Sequence, residues 1–456
     1  MILRLYDEVE KLSNEIKRLK EQLAKNSANS SKPPSSDGLK KRPIYSNRKK
    51  SRRKPGGQRG HHGEFLKPVS NPDEKDYHFA PSCTCGCNKK KPEISIETRQ
   101  VFDIPKPKVI VTEHFFEVAY YPCCGARLYD KQLDDLPRPA QYGKWIKSSC
   151  VYLMHHQHVP YDRMVQLCRD LFDTSLSAGT LYNWNKKAYH YLDPFEKEAA
   201  ILLKGGDVIG ADETSANISG KLYWLHSFSN AYITLIFLHK NRGQKAMEEI
   251  GILKNYHGTI VHDFWKAYYK FLCKHALCNA HLLRELTFIF IEQHQLWASN
   301  LIALLLKIKK RIENAKISGR ESLSERQIEK FEIEYDKIIR SGSRKNPEPE
   351  KIPGKRGRPK RTTARNLVRR LIDHKHEILC FLHDFRVPFD NNGAERTFRM
   401  AKVHLKISGC FRSIEGGVMF ARIRSYIDTC RKQKRNILLA ITEIFNNKTS
   451  GIISAE

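Results

Sequence analysis

The chain has 456 residues, with 80 Lys and Arg against 50 Asp and Glu, and a formal net charge of +30 at pH 7. That length accommodates about two to four domains, and so positive a chain points to a polyanionic partner, because Lys and Arg that neutralise phosphates release counterions. No apolar run reaches the length of a membrane span, and the N-terminus reads as a charged helix rather than a signal peptide, so membrane-spanning and secreted classes drop out.

Twelve cysteines, several of them clustered, then read as thiols or metal ligands in a reducing compartment rather than as disulfides. The expected location is cytoplasmic and nucleoid-associated.

Residues 1–25 carry Ile2, Leu5, Val9, Leu12, Ile16, Leu19 and Leu23 at alternating spacings of three and four. This heptad seam favours a parallel two-stranded coiled coil, hence a homodimer or higher oligomer. Residues 26–63 have no apolar period and read as a disordered, basic tether. Within it, Arg52, Arg53 and Lys54 head a run of bases suited to phosphate contact.

Residues 64–137 form a cysteine-rich module resembling a zinc finger, with Cys83, Cys85 and Cys87 in one cluster and Cys123 and Cys124 in another, separated by β-like sequence. Thiolates on a small module suggest Zn²⁺ in place of a core. The gaps differ from the usual two-residue spacing, so zinc and a metal-free knuckle both stand. Residues 138–200 look helical. Pro160-Tyr161 opens one helix, Asp173-Thr174-Ser175-Leu176 turns, and Ser177 caps a second. Such a helix-turn-helix would offer Thr180, Tyr182, Asn183, Lys186 and Lys187 to DNA.

From residue 205 the pattern changes to strands. Gly205-Gly206-Asp207-Val208-Ile209-Gly210-Ala211-Asp212-Glu213 is a short apolar run that ends in acids, and Gly258-Thr259-Ile260-Val261-His262-Asp263 repeats it. Between them lie two β-rich segments and a helix at 244–250, an order that suggests the mixed sheet of an RNase H-like α/β core. There Asp212 and Asp263 would meet at strand ends as metal ligands. A third acid is expected from a later helix, where Asp390 or Asn391 can cap a segment with Ala394, Phe398, Ala401 and Leu405 buried. On its next face, Glu395 is followed by Arg399, Lys402 and Lys406, a carboxylate beside a phosphate track, with Arg396 adjoining. Cys278 and His281 share a helix face, either as half a metal site or as support for the core beside the acids. The core spans 205–430, with a helical insertion at about 295–365 and a C-terminal helix and tail at 431–456. The insertion ends near Lys355, Arg356 and Arg358, again suited to phosphate.

Together these features resemble a transposase of the insertion-sequence-66 family, a DDE transposase. The resemblance rests on the N-terminal heptads, Gly56-Gly57-Gln58-Arg59-Gly60-His61 and the cysteine module. It also rests on Asp212-Glu213-Thr214, His262-Asp263 with Tyr268, Cys278-Asn279-Ala280-His281, Pro388-Phe389-Asp390-Asn391-Asn392-Gly393-Ala394-Glu395-Arg396, Ile407-Ser408-Gly409-Cys410-Phe411-Arg412 and Arg424-Ser425-Tyr426. It implies a multidomain α+β protein in which Asp212, Asp263 and Glu395 are the catalytic acids and hold two Mg²⁺ (or Mn²⁺) ions. It further implies double-stranded DNA, at element ends and target, as substrate, with nicking to a 3′-OH and joining of that end to target DNA. Accessory proteins of the same element stand open as further partners. A nuclease that cuts without joining, and a silent DNA-binding regulator, are the competing readings.

Overall fold

The computed structural model describes residues 2–26, 29, 60–62, 66–81, 94–105, 107–350 and 359–446. Residues 43–111 form one compact unit, and residues 1–42 with 112–456 form the other. Most of the expected tether lies outside the described residues, as do Arg52, Arg53, Lys54, Cys83, Cys85, Cys87, Lys355, Arg356 and Arg358. Among the described residues of the smaller unit there is no helix or strand, and the Gln100 side chain donates to the Val69 carbonyl and accepts from its N–H, both at 2.8 Å.

The larger unit begins with α1 (Ile2–Ala24), whose seam residues Val9, Leu12, Ile16, Leu19 and Leu23 are exposed. Its C-terminal end is fastened: Gln293 donates to Glu21 at 3.0 Å, and Lys25 lies over the Phe288 ring. A hairpin follows, β1 (Val118–Tyr121) with β2 (Ala126–Tyr129), and its turn carries Cys123 and Cys124 as free, exposed thiols. Four helices come next: α2 (Lys144–His155), α3 (Tyr161–Phe172), α4 (Ala178–Tyr191) and α5 (Asp193–Gly205). The expected turn is present. Asp173 takes the left-handed conformation that ends α3, and the Ser177 hydroxyl accepts from Thr180 N–H at 3.0 Å.

A five-stranded sheet forms the centre, with β3 (Val208–Ile218), β4 (Lys221–Ser229), β5 (Thr234–His239), β6 (Thr259–His262) and β7 (Lys274–Leu277) in the order β5-β4-β3-β6-β7. β3 pairs antiparallel with β4 and parallel with β6, so it is the hinge of the mixed sheet. Ser219 and Gly220, both at positive φ, close the β3–β4 hairpin in two residues. The short α6 (Gln244–Ile250) connects β5 to β6.

The opening acid stretch departs from expectation in one respect. Asp212 does not end its strand. β3 continues to Ile218 because β4 keeps pairing with it, while the parallel partner β6 stops at His262. The carboxylate therefore emerges where one neighbour runs out, midway along β3.

After β7, α7 (Asn279–Gln293), α8 (Leu296–Ile317), α9 (Glu325–Lys345), α10 (Thr363–Asp373) and the single turns α11 (Lys375–Ile378) and α12 (Cys380–His383) build a second core. The predicted stripe Leu301, Leu304, Leu305, Ile308 and Ile312 is buried there, each large apolar side chain contributing about 1.5–3 kcal/mol. α13 (Asn392–Ser408) lies against β3 and β4, burying Ala394, Phe398 and Ala401, with Leu405 half-buried beside them. α14 (Ile414–Lys432) covers the edge strand β5, and α15 (Ile437–Ile444) packs against α2. An edge strand leaves N–H groups unpaired. Here the Ser425 and Thr429 hydroxyls accept from Ile236 and Thr234 N–H at 2.8 and 3.0 Å, one helical turn matched to two strand residues.

Candidate active site

The parallel register of β3 and β6, Gly210 opposite Val261, brings Asp212 and Asp263 to the same level of the sheet two residues further on. α13 runs across this point and supplies Glu395 from its first turn. Elements far apart in the chain thus bring Asp263 and Glu395 within electrostatic reach of Asp212. Burial raises the Asp212 carboxyl well above the usual carboxylate range, and the charges of Glu213, Glu395 and Asp263 push it further. Like charges that act on one another favour a proton or a cation among them.

The fourth acid is already neutralised. Glu213, with a side chain only 1 % exposed, accepts from Arg242 Nη2 and Nε at 2.6 and 3.0 Å through one oxygen and from the Tyr268 hydroxyl at 2.7 Å through the other. Arg242 in turn lies over the rings of Trp224 and Trp265, at 4.9 and 4.3 Å. Both Glu213 oxygens are therefore occupied, and Asp212, Asp263 and Glu395 remain to hold a divalent ion. The donor set of three carboxylates fits a hard cation such as Mg²⁺ or Mn²⁺.

His262 fixes the second acid. It is fully buried, bonds His275 at 3.1 Å through Nε2, and meets the Asp263 carbonyl through Nδ1. Burial, with His275 adding to it, lowers its pKa to about 3, so the ring stays neutral and serves as a brace. The Asp263 carboxylate itself accepts from Trp265 N–H at 2.9 Å.

The third acid is set by contacts that the sequence does not display. Asn391 is the N-cap residue of α13, yet its side chain makes no cap bond; it donates to the Ala211 carbonyl on β3 at 2.7 Å. Asp390 takes over the local role, accepting from Asn392 N–H at 3.1 Å. The Asn391 N–H donates to the Cys278 sulfur at 3.1 Å, and that thiol faces Glu395 Oε1 at 3.9 Å. Burial raises the Cys278 thiol to about 12. His281 Nδ1 stands 3.6 Å from the same Glu395 oxygen, and Arg284 lies 3.8 Å from the other. His281 and Arg284 stand three residues apart on α7, with Cys278 three residues earlier at its N-cap, a period that would have flagged Arg284. Arg242 sits in a loop before α6, and no local pattern marks it.

Of the expected DNA contacts, Arg396, Arg399 and Lys406 are exposed on α13. Lys402 is directed at β3, donating to the Ser215 carbonyl and hydroxyl at 2.7 and 3.1 Å, and burial lowers its pKa. On α4, Tyr182 and Lys186 both bond Glu415 of α14, at 2.5 and 2.9 Å, whereas Asn183 and Lys187 are exposed. Thr180 is half-buried at the cap, its hydroxyl 3.0 Å from that of Ser177.

Two predictions follow from this packing. A Cβ added at Gly210 would meet Asn391 Oδ1 at 2.5 Å. Gly210→Ala should therefore push Asn391 off β3, shift the start of α13, and lower metal-dependent turnover about 100-fold, as misplacement of a reacting group by an ångström does. DNA binding, read by gel shift, should persist; unchanged turnover would show that Asn391 does not set Glu395.

The second concerns stability. Asp212 is protonated more readily folded than unfolded, so its contribution is present at pH below the ordinary carboxylate pKa and is lost as pH rises through the raised value. In chelator, Asp212→Asn should then be more stable than the parent by about 0.5–2 kcal/mol at pH 8 and level with it at pH 4. Thermal melts at the two pH values check this, and equal melts at pH 8 would contradict it.

Comparison with known families finds matches along the chain. The family described as Transposase IS66 matches residues 139–419, the zinc-finger binding domain of transposase IS66 matches residues 81–125, and a family of unknown function, DUF6444, matches residues 2–67. No curated protein matches the chain. The first of these matches takes in β3, β6 and α13 with all three acids and covers more than half of the sequence: the chain belongs to the IS66 family of DDE transposases.

Proposed function

We propose that this protein binds the terminal inverted repeats of an insertion sequence, nicks the element ends to give 3′-OH groups, and joins them to target DNA by transesterification. Membership of the family implies DNA transposition and a divalent metal. The finer reading rests on one observation: the charges of Asp263 on β6 and Glu395 on α13 act on the buried Asp212 of β3 and help to raise its carboxyl, while the fourth acid, Glu213, is spoken for by Arg242 and Tyr268. The strand order, three antiparallel strands followed by two parallel ones, supports an RNase H-like core interrupted by the α8–α9 insertion.

Asp212, Asp263 and Glu395 would hold the metal ions, which when bound activate a water or DNA 3′-hydroxyl and stabilise the leaving oxygen of the scissile phosphate. The chain's own groups orient that site. Neutral His262 steadies the Asp263 backbone, Asn391 seats the start of α13 on β3, and Arg284 and Arg399 lend positive charge beside Glu395. Asn183 and Lys187 on α4 are the best-placed DNA contacts of the helix-turn-helix, since Tyr182 and Lys186 are tied to Glu415. Cys123 and Cys124, free and exposed, are available donors for the zinc that the 81–125 match suggests.

The test is an assay with two stages, using purified protein, a labelled element-end duplex and Mg²⁺, followed by a target plasmid. Nicking and then joining supports the transposase; nicking with no joined product under any condition would leave a nuclease.

The exposed heptad seam of α1 supports a parallel homodimer. Replacing Leu12 and Leu19 together by Lys should convert a dimer into a monomer in sedimentation equilibrium. A parent protein that is monomeric at micromolar concentration would rule the coiled coil out.

A further inference from the structure

Beside the three acids lies a second set of donors with a different chemistry. Cys278 Sγ, His281 Nδ1 and Glu395 Oε1 all fall within 4.8 Å of one another, and no other such group of three occurs among the described residues. A hard-cation site has no use for a thiol or an imidazole. Together with a carboxylate they are the donor set of Zn²⁺ and its neighbours. We infer that Cys278, His281 and Glu395 form a binding site for a thiophilic divalent ion such as Zn²⁺, and that filling it withdraws Glu395 from Asp212 and Asp263, so that this ion acts as an inhibitor of the enzyme. The inhibitory half rests on the proposed role of Glu395; the binding half does not.

Four features carry the inference. First, the spacing is Cys-x-x-His across the start of α7, with Cys278 as the N-cap residue and His281 in the first turn, and both face Glu395 Oε1. Second, His281 Nδ1 is shielded from solvent, makes no hydrogen bond, and stands 3.6 Å from the Glu395 oxygen, a nitrogen lone pair or N–H with nothing else to meet. Third, the Asn391 N–H donates to Cys278 Sγ at 3.1 Å, the kind of backbone contact that supports a metal-bound thiolate. Fourth, the separations are close to those needed. Tetrahedral Zn²⁺ with ordinary bond lengths holds such donors about 3.4–3.6 Å apart, against 3.6 Å for His281–Glu395 and 3.9 Å for Cys278–Glu395 here.

Glu395 and His281 are partly exposed, with 26 % and 19 % of their side chains open, so small rotations close the remaining gap and water can take the fourth position. Arg284 engages the other Glu395 oxygen, leaving Oε1 to the ion. On binding, the thiol proton leaves to solvent and the ion takes its place.

Co²⁺ serves as the probe, since a thiolate ligand gives it a charge-transfer band and a tetrahedral site gives it intense visible bands. The full-length chain is titrated as wild type, Cys278→Ser and His281→Gln. The cysteines of the N-terminal module are present in all three and cancel. Both variants should bind one equivalent less than wild type, and Cys278→Ser should also lose one thiolate's share of the charge-transfer band. Equal stoichiometry in all three overturns the site. Loss in Cys278→Ser alone, with His281→Gln unchanged, also overturns it, because a disturbed fold rather than a shared ion would then explain the loss; circular dichroism of each variant accompanies the titration. In the nicking assay at fixed Mg²⁺, His281→Gln should need about 10–100-fold more Zn²⁺ for half-inhibition of its own activity. Intact Co²⁺ binding with no Zn²⁺ inhibition would overturn the inhibitory half alone. Protein with no nicking activity at all would count against the proposed function and leave the binding result standing.

Discussion

Mg²⁺-dependent nicking is expected to fall by about 1,000-fold or more in Glu395→Gln, equivalent to ~4 kcal/mol of lost transition-state stabilisation, while binding to the element end is expected to persist. The substitution is nearly isosteric. The Gln carbonyl can still face Cys278, and the α13 contacts through Asn391 and Ala394 do not involve the changed atom. What disappears is the negative charge, and with it one of the three carboxylates able to hold a divalent ion opposite Asp212 and Asp263. Asp263→Asn should give the same result from the other side of the site, because its carboxylate comes from β6 and its backbone is braced independently by His262. Single-turnover cleavage of a labelled duplex, beside a gel shift of the same duplex, separates chemistry from binding. Equal nicking by wild type and Glu395→Gln would move the third-acid role to Asp390. The structure speaks against that exchange, since Asp390 is engaged by Asn392 N–H and approached by Lys309 at 3.8 Å.

Arg242→Met is expected to have the next largest effect, and on stability. It removes the cation from a carboxylate that is almost fully buried and leaves Glu213 with the Tyr268 hydroxyl alone. Breaking a buried pair from one side costs about 3–5 kcal/mol; with Arg242 itself 40 % exposed, and solvent therefore sharing the interaction, about 2–3 kcal/mol is expected. Burial, followed by the charge of Asp263, already raises the Glu213 carboxyl, against the pull of Tyr268 and Arg242. Loss of Arg242 raises it further. A group whose folded pKa lies above its unfolded one stabilises at low pH and loses that contribution as pH rises through the folded value. The variant should thus be most destabilised at pH 8 and least at pH 5. Denaturant melts at both pH values read this directly, and the double variant with Glu213→Gln should recover much of the loss. A uniform loss across pH, unrescued by Glu213→Gln, would assign the effect to the Trp224 and Trp265 stacking instead.

The sequence by itself was enough for whatever depends on local periodicity. The buried stripe of α8, the Ser177 cap before α4 and the apolar face of α13 follow from helical geometry, and the structure places them accordingly; the heptad of α1 forms a helix whose seam residues Val9, Leu12, Ile16, Leu19 and Leu23 are exposed. The two short apolar segments leading to Asp212 and Asp263 were readable as strands too: β6 is buried on both faces and shows as an unbroken apolar run, while β3 alternates buried and half-buried residues. The family resemblance, resting on short motifs, is matched by the 139–419 comparison.

What only the tertiary structure decided is which side chains are free to act. Lys402 reads as one of a row of bases, but β3 passes within reach and takes its ammonium at Ser215. Asn391 looks like a cap, but its amide is spent on the Ala211 carbonyl 180 residues away in sequence. Glu213 adjoins Asp212 in the chain, yet the loop before α6 brings Arg242 to it and removes it from the set of available acids. Cys278 and His281 become a donor set only when α13 lays Glu395 beside them. In each case the deciding contact joins segments 29 to 187 residues apart. A helical or strand period records which face of one element is buried; the partner that meets that face is set by the order of strands in the sheet and by where helices cross it.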